Sequence, residues 1–177
     1  MRVDEEYLKV VRKRFQSVKE LGNKTMNQLA EEHIHWRANK ESNSIAVIVK
    51  HLSGNMLSRW TDFLTTDGEK PTRNRDQEFE DTIRSMQELK EVWESGWSVL
   101  FQALDGLDGA DLLKTILIRG ESHTILDAIE RQLAHYAYHI GQIVYIGKQI
   151  KAADWETLSI PKGKSEVYLE QMRRKYN

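Results

Sequence analysis

Apolar residues recur at every third or fourth position through most of the chain, a spacing that places them on one face of an α-helix. This pattern predicts four long helices, over residues 4–31, 44–65, 77–104 and 124–150. The second has the clearest apolar face, made of Ile45, Ile48, Leu52, Met56, Trp60 and Phe63. Four long amphipathic helices bury their apolar stripes against one another, so the pattern predicts an all-α fold, a four-helix bundle.

Helix caps and connections refine this prediction. Ser44 is a predicted N-cap of the second helix, and Thr124, with Asp127 three residues later, is typical of a capping box. The polar, turn-forming residues 66–75 predict a long crossover between helices two and three. Residues 112–119 are apolar and β-branched, which leaves a short helix and an extended segment both open, and the tail from residue 155 is expected to cover one end of the bundle.

Length, charge and cysteine content narrow the function classes. The 177 residues predict one domain over residues 1–177, and the formal net charge of -1 argues against a dedicated nucleic-acid partner. The sequence has no membrane-spanning run and no signal peptide, so we expect no membrane partner and a cytoplasmic location. Because the chain contains no cysteine, any transition-metal site must use histidine and carboxylate ligands.

The last predicted helix carries the most informative motif. His135 and His139 are four residues apart, so their side chains lie one above the other, about 5–6 Å apart at Cβ. Two such imidazoles can bind one ion, although a pair hydrogen-bonded to its neighbours is the alternative. Tyr136 stands where the helix of a zinc protease has its glutamate, which excludes that class.

A third histidine falls on the apolar face of the second predicted helix. His51 follows Ile48 by three residues, and a buried imidazole in this position needs a partner. A carboxylate or carbonyl would serve, and so would a metal shared with His135 and His139. Three neutral histidines with open coordination positions are typical of a catalytic metal site.

Several segments of the chain together resemble a known superfamily. Residues 42–46, 50–55 and 59–60 around the second predicted helix, the polar crossover after it and residues 134–142 are similar to the DinB-like (YfiT-like) superfamily of metal-dependent enzymes. Within it, the chain resembles a bacillus-type branch of unassigned function. The resemblance covers nearly the whole chain.

The resemblance implies a fold, a metal and a chemistry. It implies an up-down-down-up four-helix bundle that is often a homodimer, with zinc, nickel or manganese as the divalent metal. It also implies that His51, His135 and His139 are the metal ligands. Characterised relatives include transferases that use a low-molecular-weight thiol such as bacillithiol.

Several charged residues are candidates for the rim of this site. Arg73 and Arg75 lie in the predicted crossover and could bind an anionic ligand, although such a segment is commonly a solvated loop. Arg119, Glu121 and His123 lead directly into the last helix and are further rim candidates.

These features favour a metal-dependent transferase that acts on a small-molecule substrate with a low-molecular-weight thiol such as bacillithiol as co-substrate. Two alternatives stay open. A metal-dependent hydrolase would need a general base, for which Glu121 is the candidate. A non-catalytic, metal-binding, stress-associated dimer would use the metal for stability alone.

Overall fold

The computed structural model describes residues 2–176, which are mostly helical. Four long helices, a short fifth helix and one antiparallel pair of strands follow along the chain: α1 Val3–Met26, α2 Ile45–Trp60, α3 Met86–Asp105, β1 Thr115–Ile118, β2 Glu121–Thr124, α4 Ile125–Lys151 and α5 Ser165–Tyr176. The all-α prediction is therefore confirmed at the level of a mostly helical chain.

The predicted starts of α1, α2 and α4 agree with the structure to within one residue, whereas the predicted ends of α1 and α2 are five residues too late. Ser44 and Thr124 cap α2 and α4, and their hydroxyls accept hydrogen bonds from the N–H groups of Val47 and Asp127. Helix α1 ends at Met26 instead of residue 31, and α2 ends at Trp60 instead of residue 65. The early end of α2 has a backbone cause, because Asp62 adopts a φ of 47°, which no right-handed helix accommodates.

The prediction of one helix over residues 77–104 is wrong in its first part. A short 3-10 turn covers Asp76–Phe79, an extended segment follows, and α3 begins at Met86 after its N-cap Ser85. Side-chain contacts to α2 explain the interruption. Glu78 bonds to His51 and Asp81 bonds to Ser44, and these contacts hold the segment across α2 in a non-helical path.

The undecided segment 112–119 contains a strand. β1 pairs with β2 in an antiparallel hairpin, in which Ile118 lies opposite Glu121. The two turn residues, Arg119 and Gly120, have φ values of 57° and 75°, the left-handed pair that a two-residue hairpin turn requires. The hairpin is joined to the crossover, because the N–H of Gly68 donates to the carbonyl of Leu117.

Each of the four long helices contacts two of the others. Helices α3 and α4 both pack against α1, and both also pack against α2. The largest fully buried side chains come from all four helices and from the segment before α2: Trp97, Tyr136, Phe15, Ile34, Ile45, Ile48, Leu52, Met56, Leu89, Leu100, Ile125 and Ile129. The core thus includes the α2–α4 contact, on which the predicted histidine ligands lie.

The C-terminal tail covers the bundle less than the sequence predicts. Trp155 lies close to Gly147 near the end of α4, but α5 contains no buried residue. None of the helices formed by residues 2–176 combines the length and the apolar character that a bilayer crossing requires.

Helices α2 and α3 approach closely at Gly96, and we expect Gly96→Ala to destabilise the protein. A Cβ atom at this position would lie 2.8 Å from the Cα atom of Ser53, so the two backbones would have to separate. Overpacking of this kind costs about 1–3 kcal/mol, which a urea unfolding curve measures. The control is Gly141→Ala on α4, where the added Cβ meets no atom within 4 Å. A Gly96→Ala variant as stable as this control would contradict the close approach.

Candidate metal centre

The three histidines predicted from the sequence meet at the contact between α2 and α4. The Nε2 atom of His135 lies 3.3 Å from Nε2 of His51 and 3.1 Å from Nε2 of His139. One ring nitrogen from each residue falls within 4.8 Å of the other two. His51 is buried and the two α4 histidines are half-buried, so the cluster borders the surface on the α4 side.

These spacings fit a metal ion. A tetrahedral ion with metal–nitrogen bonds of about 2.0–2.1 Å holds its ligand nitrogens about 3.3–3.4 Å apart. The two Nε2 separations that involve His135 lie within about 0.3 Å of that value. His51, His135 and His139 could therefore hold a metal ion, with at least one coordination position left to a ligand from outside.

The opposite nitrogen of each ring has its own oxygen partner. Nδ1 of His51 lies 2.9 Å from a carboxylate oxygen of Glu78, and Nδ1 of His139 lies 2.9 Å from the amide oxygen of Gln142. Nδ1 of His135 lies 3.4 Å from the amide oxygen of Gln132. An Nδ1–H that donates to oxygen leaves the Nε2 lone pair free, which is the tautomer that metal-binding histidines adopt.

The α4 histidines are held in the neutral form. Burial, together with the neighbouring His139 and His51, lowers the pKa of His135 to about 3. Burial also lowers the pKa of His139. Neutral imidazoles whose Nε2 lone pairs converge repel one another unless a cation lies between them, so this protonation state favours a bound cation.

Glu78 is the carboxylate that bonds to His51, and hydrogen bonds from Arg73 hold it in place. Arg73 donates from Nε to one carboxylate oxygen at 2.6 Å and from Nη2 to the other at 2.8 Å. Burial alone would raise the pKa of Glu78, but the hydrogen bonds from Arg73 and His51 outweigh it and hold the pKa below its usual value. Phe79, the next residue, stacks on the His51 ring with centroids 4.9 Å apart.

Tyr136 lies beside His135 but takes no part in the cluster. Its hydroxyl is fully buried, donates to Asn55 at 3.1 Å and accepts from the indole N–H of Trp60 at 3.1 Å. Burial raises the pKa of this phenol and so keeps it neutral. Its two hydrogen bonds link α4 to α2.

The crossover carries a partly buried ion-pair cluster that is linked to His51 through Arg73 and Glu78. Glu69 accepts from Arg59 at 3.1 Å and from Arg119 at 2.9 Å, and it forms an ion pair with Arg73 at 3.4 Å. Asp67 adds a backbone link, since its carboxylate accepts from the N–H groups of Arg119 and Gly120. Together these contacts tie the crossover and the hairpin turn to α2 and to Glu78.

Within residues 2–176, the other rim candidates form no hydrogen bond or ion pair with the three histidines. The guanidinium of Arg75 lies over the Phe79 ring, 5.5 Å from its centroid, and has no ion-pair partner within residues 2–176. Glu121 pairs with Nε2 of His123 at 3.3 Å, and Nδ1 of His123 lies 2.6 Å from Asp127. In the part of the chain that the structure describes, Arg73 is the rim candidate linked to the cluster by hydrogen bonds, through Glu78, while Arg75 lies over the Phe79 ring that stacks on His51.

Sequence reasoning missed the three residues that bond to the histidine Nδ1 atoms. Gln132 precedes His135 by three residues and Gln142 follows His139 by three, so helical spacing could have identified both. Glu78 has no such signal, because it is 27 residues from His51 and follows a crossover whose path the sequence does not reveal.

Comparison with known proteins adds a family but no activity. No curated protein matches the chain. A family model described as "Protein of unknown function (DUF1572)" matches residues 2–164, which include all three histidines and their oxygen partners but end just before α5. The chain belongs to this family of proteins of unknown function, DUF1572.

Proposed function

We propose that this protein is a divalent-metal-dependent transferase that joins a low-molecular-weight thiol, such as bacillithiol, to an electrophilic small molecule. The observation that carries the proposal is the convergence of three histidine Nε2 atoms whose Nδ1 atoms are all bonded to oxygen. The similarity to the DinB-like superfamily supports the thiol, the up-down-down-up bundle and a homodimer.

The donor set favours an anionic ligand from outside the chain. All three protein ligands are imidazoles, so none of them cancels the charge of a divalent ion. A divalent ion held there would lower the pKa of a bound thiol and so favour the thiolate. Since the chain has no cysteine, the reacting sulfur must belong to a co-substrate.

The arrangement of carboxylates favours thiol transfer over hydrolysis. Metal-assisted hydrolysis commonly relies on a free general base close to the reacting water. Within residues 2–176, the carboxylate bonded to the histidines is that of Glu78, which is buried and bound by Arg73. Glu121, the base predicted for hydrolysis, contacts His123 instead.

The experiment is a conjugation assay on zinc-, nickel- or manganese-loaded protein with bacillithiol and 1-chloro-2,4-dinitrobenzene. A sulfur–carbon bond forms, the carbon–chlorine bond breaks, chloride leaves with the electron pair, and the thiol proton goes to solvent. We expect a rate above the uncatalysed reaction that is lost in His135→Ala. Hydrolysis of p-nitrophenyl acetate without conjugation would replace this proposal with a hydrolase, and metal binding without either reaction would leave a non-catalytic metal protein.

A further inference from the structure

A groove lies between α4 and the segment that precedes α2, and two of its lining residues contact the histidine cluster. It encloses about 520 Å³ and is lined by residues that include Trp36, Tyr138, Gly141, Gln142 and Tyr145. The aromatic side chains on its walls are strongly exposed: Trp36 by 38%, Tyr138 by 63% and Tyr145 by 65%. Large exposed aromatic residues gathered around one concavity are typical of a binding site.

The groove and the histidine cluster share side chains. Tyr138 lies on the wall of the groove, and its ring meets the ring of His139 edge-on with centroids 5.0 Å apart. Gln142, which also lines the groove, accepts the hydrogen bond from Nδ1 of His139. On α2, the groove residue Ile48 is one helical turn from His51. A molecule in the groove would therefore lie one side chain away from the metal ligands.

The lining indicates the chemistry of the occupant. Its one charged residue is Glu41, whose side chain is 83% exposed, and its other polar residues are uncharged: Ser42, Asn43, Gln142 and Gln149. No cationic side chain in this lining would compensate an anionic ligand, and the carboxylate of Glu41, largely in solvent, would attract a cation only weakly. The volume lies within the roughly 300–1,000 Å³ of small-molecule sites, whereas a stable protein interface buries about 1,200–2,000 Å² over a broader surface.

A larger pocket of about 960 Å³ lies between α2, the crossover and α3, but its lining does not indicate a ligand. Its cationic side chains already have partners. Lys50 donates to the Glu80 carbonyl and the Thr82 hydroxyl, and Lys70 donates to the Asp67 carbonyl and the Thr66 hydroxyl. Within residues 2–176, every buried side-chain polar atom of this lining has a hydrogen-bond partner, so none of them indicates a ligand.

We propose that the aromatic groove binds an uncharged, planar organic group. The identification of this group as the apolar part of the electrophilic substrate rests on the proposed function. The binding of such a group in the groove does not depend on it. Aromatic walls would stack on a flat molecule, and the space beside Gly141 is open, because a Cβ atom there would meet no atom within 4 Å.

The test uses N-phenyl-1-naphthylamine, an uncharged aromatic probe that fluoresces in apolar surroundings, titrated into the full chain with and without zinc. The variant Gly141→Leu fills the groove, and the matched control Ala137→Leu adds the same side chain at an exposed position of α4 outside it. We expect Gly141→Leu to weaken probe binding at least tenfold and Ala137→Leu to leave it unchanged. Tyr145→Ala, which removes a wall, should also weaken binding.

The outcomes separate the groove from the metal proposal, because zinc content is measured on the same samples. Probe binding that is lost in Gly141→Leu supports the groove even if no variant binds zinc. A probe that merely adheres to exposed apolar surface would bind Gly141→Leu as well as the parent, and that result would overturn the proposal. Loss of probe binding as the protein dimerises at higher concentration would also overturn it, since a second copy would then be the occupant.

Discussion

Protein purified without a histidine tag is expected to contain close to one equivalent of divalent metal per chain, and His135→Ala is expected to contain almost none. His135 is the central residue, since its Nε2 atom lies within 3.3 Å of the corresponding atoms of both His51 and His139. Loss of a second-sphere partner costs about 10–100-fold in metal affinity, and loss of a direct ligand should cost more. Elemental analysis of parent and variant measures the effect.

Metal should also stabilise the fold. At a hundredfold excess over the dissociation constant, a ligand specific for the folded state adds about 2.7 kcal/mol, which for a chain of this size raises the melting temperature by roughly 5–11 °C. His51→Ala should remove this increment, and the control His33→Gln should keep it, because Nδ1 of His33 bonds only to the backbone N–H of Ala30. A parent that takes up no zinc, nickel or manganese on titration would contradict the metal site and with it the proposed enzyme.

The sequence reveals those parts of the fold that depend on local pattern. Apolar periodicity and side-chain caps are local, so the starts of α2 and α4 at Ser44 and Thr124 are correctly predicted. The segment 77–85 has a helical pattern, yet its residues Glu78 and Asp81 bond to α2, and these long-range contacts outweigh the local preference. The hairpin turn depends on left-handed φ angles at Arg119 and Gly120, for which Gly120 was the only local sign.

In the candidate site, too, the residues that depend on local pattern are predictable from the sequence and those that depend on long-range contacts are not. The spacing of His135 and His139 within one helix predicts that they face the same side, and the apolar face of α2 indicates that His51 turns inward. What a single sequence does not reveal is the path of the crossover. That path brings Glu78, held by Arg73, to His51 and places Arg75 over the Phe79 ring, although the two arginines are two residues apart.

The crossover can approach His51 because position 54 is a glycine. A Cβ atom at Gly54 would lie 2.5 Å from the Oε1 atom and 2.8 Å from the Cδ atom of Glu78. A free carboxylate would swing away at little cost, but this one is held by two hydrogen bonds from Arg73 and one from His51. Any methyl group at position 54 must therefore break part of the network that orients the His51 ring.

We accordingly expect Gly54→Ala to weaken zinc binding by about 10–100-fold, the range found when a histidine ligand loses its second-sphere carboxylate. Competition with a chromophoric chelator measures this affinity, and the unfolding curve of the metal-free variant shows whether the fold is retained. The matched control is again Gly141→Ala, on the other helix of the site, where the added methyl group meets no atom within 4 Å. Equal zinc affinity in the two alanine variants would show that the contact between Glu78 and His51 does not tune the metal. A selective loss in Gly54→Ala, with a stable metal-free fold, would establish Glu78 as the residue that orients His51, because the substitution changes neither a ligand nor a charge.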